Sequence, residues 1–547
     1  MSETNGQGIP EPEGQTDVIE TEYEIGQDNI EPKIGPFGLD IHNPVFVVSG
    51  LVVVAFVLIT LAFQDAAGPA FGAVRGFLTS NLDWFFLMAG NIFVVVCLAI
   101  LVSPLGKIRI GGSEATPDYG YLGWFAMLFA AGMGIGLMFF GVLEPVYYFG
   151  TPWGDQPLGH PLGIVDGELA DAATIEAARS MAMAATIYHW GLHPWAIYAI
   201  VALSLALFAY NKGLPLTVRS IFYPIFGERV WGWTGHVIDI LAVFATLFGL
   251  ATSLGLGAQQ ANAGLEYVFG IGVNTTVQVI LIAGITAIAL ISVLRGLEGG
   301  VKRLSEINLI LAVVLMLFVF IVGPTAFLLT GFWDTTVSYV REIVPLSNPV
   351  GREDDGYRQG WTAFYWAWWI SWSPFVGMFI ARVSRGRTVR EFITCVLIIP
   401  TIASILWMTV FGGSAIEQIV SGTGDAVRSY VIDAYQPELS LFGMLSELPL
   451  APIASFVAIV LVIVFFVTSS DSGSLVIDTI TAGGKIDAPV TQRVFWVIFE
   501  GIVAATLLIG GGLVALQAAA VSTGFPFAIV LLLACYALVK GLLQEPR

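Results

Sequence analysis

Apolar runs long enough to cross a lipid bilayer recur along the sequence, from near Pro44 to near Ala537. Hydrophobic residues make up 56% of the chain and charged residues only 12%, so most of the apolar surface must face lipid or other helices. About twelve of these runs approach the length of roughly 20 residues that a spanning helix needs. No comparably long segment alternates between apolar and polar residues, as a strand of a membrane β-barrel would. The sequence therefore predicts an all-α polytopic membrane protein.

The distribution of basic residues agrees with twelve spans. If both ends of the chain are cytoplasmic, seventeen of the 23 Lys and Arg residues fall on the cytoplasmic side. The other six fall in loops rich in Asp and Glu. We therefore expect a multi-pass protein of the inner (plasma) membrane with both termini in the cytoplasm.

Residues 1–40 form a strongly acidic segment in which nine Asp and Glu residues precede a single Lys33. This composition predicts a disordered cytoplasmic tail that anionic lipid and nucleic acid would repel. It also lacks the basic start and short apolar core of a signal peptide. Cys97, Cys395 and Cys535 lie in separate apolar runs, which favours neither a disulfide framework nor a metal cluster.

A dense group of tryptophans lies between Trp361 and Pro374, within span eight. The Ser-Trp-Ser-Pro sequence that ends this group predicts a break in the helix. Electron-rich ring faces gathered at a helix break suit the capture of a cation without N–H donors, such as a quaternary ammonium. The alternative is an aromatic belt at the membrane interface.

A second break is predicted in span three, where Gly132, Gly134 and Gly136 alternate. Close helix packing is the alternative explanation for such a cluster. The two predicted breaks are five spans apart, which is the spacing of two inverted five-helix repeats, comprising spans 3–7 and 8–12. The predicted organisation is two peripheral helices (41–110), a first repeat (111–332), an amphipathic surface helix and loop (333–358), a second repeat (359–541) and a short tail (542–547).

Span four carries a further aromatic group, in which Trp190, Trp195 and Tyr198 fit one side of a helix kinked at Pro194. His189 and His193 in the same span have the spacing of two zinc ligands. They lack the following Glu and the third ligand of a zinc site, so helix-end histidines are the plainer interpretation.

In span ten a polar group, Thr468 to Asp471, follows a strongly apolar run. Hydroxyl oxygens, together with carbonyls freed at the span-three break, are suited to Na⁺. The alternative is that these hydroxyls hydrogen-bond to their own helix. No His lies in the second half of the chain to activate a serine, so the sequence does not favour an enzyme.

Over about residues 35 to 541 these motifs resemble the betaine/choline/carnitine transporters, which are twelve-span secondary carriers with a leucine-transporter-like core. The resemblance implies an aromatic box around an onium group. It also implies a sodium site, a surface helix near Trp333 to Leu346 and a homotrimer. The implied substrate-binding residues are Trp190, Trp195, Tyr198, Trp369 and Trp372, and the implied sodium ligands are Ala130, Met133, Phe465, Thr468 and Ser469.

Sodium-coupled relatives have a second sodium site, which would fall at Thr246 and Phe375. Leu250 stands where those relatives have a hydroxyl residue, so the number of coupled ions stays open. No Asp or Glu lies within the three motif segments, which favours a zwitterion over a net cation. The amides at the span-three break, at Gly132, Met133, Gly134 and Gly136, would meet its carboxylate.

The expected function is sodium-coupled symport of glycine betaine or an analogue such as dimethylsulfoniopropionate, with Na⁺ as the coupling ion. Proton-coupled or exchange transport of choline or carnitine is the alternative within transport. A membrane sensor of the same substrate is the alternative from another class.

Overall fold

The computed structural model describes residues 9–34, 37–132, 134–154, 160–295 and 301–546, and these are mostly helical. The longer helices are α1 (Asn43–Ala62), α2 (Gln64–Val102), α3 (Tyr121–Gly132), α4 (Ile135–Gly150), α5 (Ala172–Trp190), α6 (Leu192–Ala206), α8 (Trp233–Phe269), α9 (Thr275–Arg295), α10 (Val301–Val322), α11 (Thr325–Ser347), α13 (Ala363–Val383), α14 (Val389–Met408), α15 (Ser414–Ser421), α18 (Ala451–Thr481) and α19 (Val490–Gln544). Short helices are α7 (Tyr223–Phe226), α12 (Asp355–Tyr357), α16 (Asp425–Arg428) and α17 (Ser440–Ser446).

Strands are confined, in the described residues, to three antiparallel pairs of two-residue strands. They lie outside the membrane-length helices. The pairs are β1 (Asn29–Ile30) with β4 (Ile41–His42), β2 (Lys33–Ile34) with β3 (Phe37–Gly38), and β5 (Ile164–Val165) with β6 (Glu168–Leu169).

The number of membrane-length helices agrees with the prediction. In the part of the chain that the structure describes, nine helices are long and apolar enough to cross a membrane, and the bent pair α3–α4 makes a tenth. The tryptophan-rich α13 adds one more, and α19 is two helices that meet at a kink at Gly511–Gly512. Together these give twelve segments, and the predicted all-α polytopic class is confirmed.

Two spans are interrupted. The predicted break in span three is present: α3 ends at Gly132, α4 begins at Ile135, and their axes differ by 65°. Span four is interrupted at Gly191, whose backbone leaves the helical region between α5 and α6. Pro194, at which the sequence predicts a kink, lies in the first turn of α6, three residues after this interruption. A proline disturbs the preceding turn, because it cannot donate to the carbonyl four residues earlier.

The predicted break in span eight is not present, because α13 runs without interruption from Ala363 to Val383. Pro374 has no N–H to donate to the carbonyl of Ile370. The hydroxyl of Ser373 donates to that carbonyl instead, at 2.6 Å. The serine before the proline thus replaces the lost hydrogen bond, and the helix continues. α13 lies at the centre of the bundle, in contact with α2, α3, α6, α8, α18 and α19.

Helix α11 lies between α10 and the predicted second repeat, as the sequence predicts for a surface helix, but it begins earlier than predicted, at Thr325. It exposes an apolar row that includes Trp333, Val340 and Val344. Its buried Tyr339 reaches the interruption of span four and accepts a hydrogen bond from the backbone N–H of Leu192, at 2.9 Å. This bond satisfies a donor that the interruption would otherwise leave unpaired.

The prediction of a disordered acidic tail was wrong for residues 9–34, which lie against the face of the bundle that carries Lys212 and Arg385. Tyr23 is buried there. Glu13 pairs with Arg385 at 2.5 Å, and Asp17 pairs with Lys212 at 2.8 Å. The basic loops of this face therefore neutralise the acidic charges that would favour disorder in isolation.

Lys212 provides a test of this face, because its buried ammonium also pairs with the buried Glu545, at 2.8 Å. We expect Lys212→Ala to destabilise the protein by roughly 3 kcal/mol, since it leaves a buried carboxylate without its partner. The measurement is the midpoint of thermal unfolding followed by tryptophan emission. Lys107→Ala, at an exposed lysine, is the control, and equal midpoints for the two variants would contradict the prediction.

Candidate substrate site

A cavity opens where α4, α5, α6 and α13 meet, beside the interruptions of spans three and four. Nearly all of its described wall is apolar or aromatic, and no Asp or Glu is among the described lining residues. The lining residues are Ala131, Gly134, Gly136, Leu137, Trp190, Pro194, Trp195, Tyr198, Ser253, Trp368, Trp369, Trp372 and Ser404.

The structure brings the four predicted cage residues together. The ring centroids of Trp190 and Trp369 are 4.9 Å apart, with the planes at 78°. Tyr198 lies edge-on to Trp369 at 6.1 Å and to Trp195 at 5.3 Å. All four side chains are buried. Rings from three helices thus surround one small volume.

The polar edges of two of these rings are turned into the protein. The indole N–H of Trp190 donates to Glu144 Oε2 at 2.8 Å, and that of Trp369 donates to the carbonyl of His189 at 2.9 Å. Because both donors are already used, the π faces of these two rings are what remains for a ligand. A π face attracts cations and cannot accept a conventional hydrogen bond as a carboxylate would.

Glu144 is fully buried in α4, and its carboxylate accepts four hydrogen bonds. Trp190 and the Tyr365 hydroxyl, at 2.7 Å, donate to Oε2, whereas the Tyr148 hydroxyl, at 3.0 Å, and His189 Nδ1, at 2.5 Å, donate to Oε1. An ionised carboxylate only accepts, so it matches four donors. This carboxylate therefore hydrogen-bonds to residues in and behind the cage wall and is not a partner for a ligand in the cavity.

The two histidines of span four have separate partners. With Nδ1 of His189 donating to Glu144, its Nε2 accepts from the Thr362 hydroxyl at 2.9 Å. His193 Nε2 contacts Asn91 Oδ1 at 3.1 Å. The pair is thus engaged in hydrogen bonds between helices.

The glycines of span three lie at the cavity. Gly134 precedes α4 and lines the cavity, and Gly132 is the last residue of α3; Met133 lies outside the described residues. A Cβ at Gly136 would lie 2.7 Å from Trp190 Cη2 and 3.1 Å from Trp368 Cη2. Glycine at 136 is therefore required for the helix to approach the cage.

Trp372 lines the cavity one turn after Trp368, and its ring packs edge-on against Phe375 at 5.3 Å. Sequence reasoning missed Trp368 as a lining residue, although its ring stacks on Trp369 at 5.0 Å. It also missed Ser253 and Ser404, which enter the wall from α8 and α14. Their contribution depends on how those helices pack, and no local motif marks it.

The candidate sodium ligands of span ten occupy about one turn of α18. The Thr468 hydroxyl donates to the carbonyls of Val464, at 3.0 Å, and Phe465, at 3.2 Å. This is the own-helix arrangement that the sequence left as an alternative, yet a donating hydroxyl keeps lone pairs for a cation. Ser469 is half-buried, and Ala130 lies near the end of α3. The sodium assignment of these residues stays a prediction.

At the second predicted sodium site, the Thr246 hydroxyl donates to the carbonyl of Ala242 at 2.8 Å, within α8. Leu250, one turn later, packs on α18, where its Cδ1 lies 2.2 Å from the position a Cβ would take at Gly473. The leucine therefore fills space between two helices and offers no oxygen ligand.

Interrupted membrane helices that converge on a buried cavity are the architecture of a membrane transporter. Residues 44–547 match the family model described as BCCT, betaine/carnitine/choline family transporter. The chain belongs to this family.

Three relatives of known name match along nearly their full length. A glycine betaine/proline/choline transporter of Vibrio parahaemolyticus serotype O3:K6 is 61% identical over 100% of this chain and 98% of its own. Glycine betaine transporter 1 of the same organism is 55% identical over 96% of this chain and 98% of its own. A glycine betaine transporter of Bacillus subtilis strain 168 is 42% identical over 92% of this chain and 95% of its own.

Glu144→Gln tests how strongly the carboxylate holds the cage wall. A glutamine amide has one acceptor oxygen, and its NH₂ group would face donors, so at least one buried donor loses its partner. We expect a loss of about 1–3 kcal/mol in stability, together with a change in tryptophan emission as Trp190 is released. The matched control is Glu266→Gln, at an exposed position. Wild-type stability and emission in Glu144→Gln would refute the role assigned to Glu144.

Proposed function

We propose that this protein is a sodium-coupled symporter that accumulates glycine betaine or a similar zwitterionic onium compound in the cell. The observation that carries the proposal is the buried cage of Trp190, Trp195, Tyr198 and Trp369. The indole N–H groups of Trp190 and Trp369 are held by the protein, so the cage presents ring faces.

A trimethylammonium group fits such a cage for a physical reason. It carries a positive charge but no N–H, so it gains little from hydrogen-bond acceptors and much from π faces. Each desolvated cation–π contact contributes roughly 1–2 kcal/mol. A primary amine in the same cage would leave its N–H donors unpaired, at a desolvation cost of about 1–3 kcal/mol each.

The other end of the substrate is proposed to be a carboxylate. Three donors among the lining residues have no hydrogen-bond partner in the described part of the chain: the Tyr198 hydroxyl and the indole N–H groups of Trp368 and Trp372. The N-terminus of α4, at Gly134, adds backbone donors and a favourable dipole. With Glu144 engaged elsewhere, these groups favour a zwitterion over a net cation such as choline.

Sodium coupling is proposed from the oxygen-rich turn of α18 and the carbonyls at the end of α3. Phe465 would contribute its carbonyl, and Thr468 and Ser469 their hydroxyls, all hard ligands. Sodium bound between the interrupted span three and α18 would stabilise one relative arrangement of these two helices. Because span three also lines the substrate cavity, that arrangement would link sodium binding to substrate binding. The face that residues 9–34 contact is proposed to be cytoplasmic. The relatives named as glycine betaine transporters support the substrate class.

Uptake into proteoliposomes tests the function. We expect the purified protein to accumulate radiolabelled glycine betaine when an inward Na⁺ gradient is imposed. Trp369→Ala should reduce uptake at limiting substrate at least tenfold, because it removes the ring between Trp190 and Tyr198. Trp84→Ala, at a half-exposed tryptophan of α2, is the control and should transport normally. Wild-type uptake by Trp369→Ala would contradict the cage. Betaine binding without accumulation would point to a sensor.

The coupling ion has its own test in Thr468→Ala combined with Ser469→Ala. We expect stimulation by Na⁺ to be lost, while binding of glycine betaine at saturating concentration survives. Thr330→Ala with Thr394→Ala is the matched control, since both hydroxyls are exposed and bond to their own helices. If Na⁺ stimulation persists in the α18 variant, the sodium site is wrong. Uptake by the wild type that follows a proton gradient instead would indicate proton coupling.

A further inference from the structure

One side of α13 is partly exposed, although this helix lies at the centre of the bundle. Of its 21 residues, all but four are buried. The four are Trp372, Phe375, Phe379 and Arg382. Because an α-helix turns about 100° per residue, the spacing of three, four and three places them within an arc of about 80°. They therefore form one stripe along the second half of α13.

This stripe faces space between helices. α13 is in contact with α2, α3, α6, α8, α18 and α19, so it presents no broad face to lipid. The stripe begins at Trp372, which lines the aromatic cavity. It ends at Arg382, about 15 Å further along the helix and three residues before Arg385, the partner of Glu13. The stripe thus extends from the cavity to the face that residues 9–34 contact.

Arg382 carries a positive charge that no carboxylate balances. It takes part in no ion pair among the described residues, whereas Arg385 pairs with Glu13. Its Nε and Nη2 atoms are buried and have no hydrogen-bond partner in the described part of the chain. The groups that influence its charge electrostatically are the Tyr210 hydroxyl and Arg493, which is itself a cation. An anion is therefore the partner that this guanidinium lacks.

A basic residue near the cytoplasmic end of a membrane helix is common and needs no ligand when its charge reaches water or lipid head groups. Arg382 differs, because two of its nitrogens are turned into the protein and are unsatisfied. Charged donors without partners are unfavourable in the interior. A guanidinium matches a carboxylate with two parallel hydrogen bonds. The stripe thus combines aromatic rings with an anion-binding group at one end.

We propose that Arg382 binds the carboxylate of the zwitterionic substrate as it passes between the cavity and the cytoplasmic face, while Phe375 and Phe379 offer ring faces to the onium group. This inference rests on the proposed function, from which it takes the substrate. Phe379 and Arg382 are three residues apart and hence neighbours on the helix surface. A ring and a guanidinium at this spacing suit a molecule whose opposite charges are close together.

The charge in this passage is measurable without transport. A Phe379→Cys variant that lacks the three native cysteines is treated with sulfonatoethyl and trimethylammonioethyl methanethiosulfonate, which are negatively and positively charged thiol reagents. Arg382→Gln should lower the ratio of the negative to the positive reagent's rate by about fivefold or more, because the neighbouring cation is lost. Arg382→Lys should preserve the ratio. Arg229→Gln, at an exposed arginine, is the control and should also leave it unchanged.

Thermal unfolding identifies the folded variants. An unchanged ratio in folded Arg382→Gln overturns the proposal. Failure of either reagent to modify Phe379→Cys also overturns it, since the stripe would then border no passage.

Efflux from proteoliposomes tests the part played by the substrate. Vesicles that contain the protein with its cytoplasmic face inward are loaded with radiolabelled glycine betaine. Arg382→Gln should raise the internal concentration for half-maximal efflux about threefold or more. Equilibrium binding to the cage, which Trp369→Ala weakens, should stay at the wild-type affinity. Efflux by Arg382→Gln with the wild-type concentration dependence contradicts the proposal. Absence of betaine transport by the wild type would refute the proposed function, and the rate ratio would still decide whether Arg382 attracts anions.

Discussion

One buried carboxylate, that of Glu144, fixes the arrangement on which the rest of the site depends. It lies in α4, its donors Trp190 and His189 lie at the end of α5, and its donor Tyr365 lies in α13. One carboxylate thereby connects three helices. Trp369 is connected to it indirectly, through the carbonyl of His189. Charge-assisted hydrogen bonds are stronger and more directional than neutral ones, so the cage rings keep their faces toward the cavity.

Around this fixed point, interrupted and continuous helices have different roles. The breaks before α4 and at Gly191 bring backbone groups to the cavity, and Tyr339 of α11 satisfies one N–H that the second break exposes. α13 stays continuous through Pro374 because Ser373 satisfies the freed carbonyl. The cavity thus has one uninterrupted aromatic wall, whereas two other walls lie at helix interruptions.

The sequence was sufficient for whatever depends on local pattern. Span length and glycine spacing predicted the helices and the break at Gly132–Gly136, and the family resemblance named four aromatic residues that the structure places together. The contacts between distant segments could not be predicted from the sequence. The partners of Glu144 come from three helices, and the order of the tail depends on pairs such as Asp17 with Lys212. The helix through Pro374 continues because of a side-chain bond that residue propensities do not register.

The central claim is that the ring faces of this cage hold the onium group of a zwitterion. A cryo-electron microscopy structure of the purified protein with glycine betaine and Na⁺ tests it most directly. The predicted result is density for the trimethylammonium group within about 6 Å of the ring centroids of Trp190, Trp195, Tyr198 and Trp369, with the carboxylate toward Gly134. Betaine bound elsewhere while this cavity stays empty, or bound with its carboxylate against the faces of these four rings, would contradict the claim.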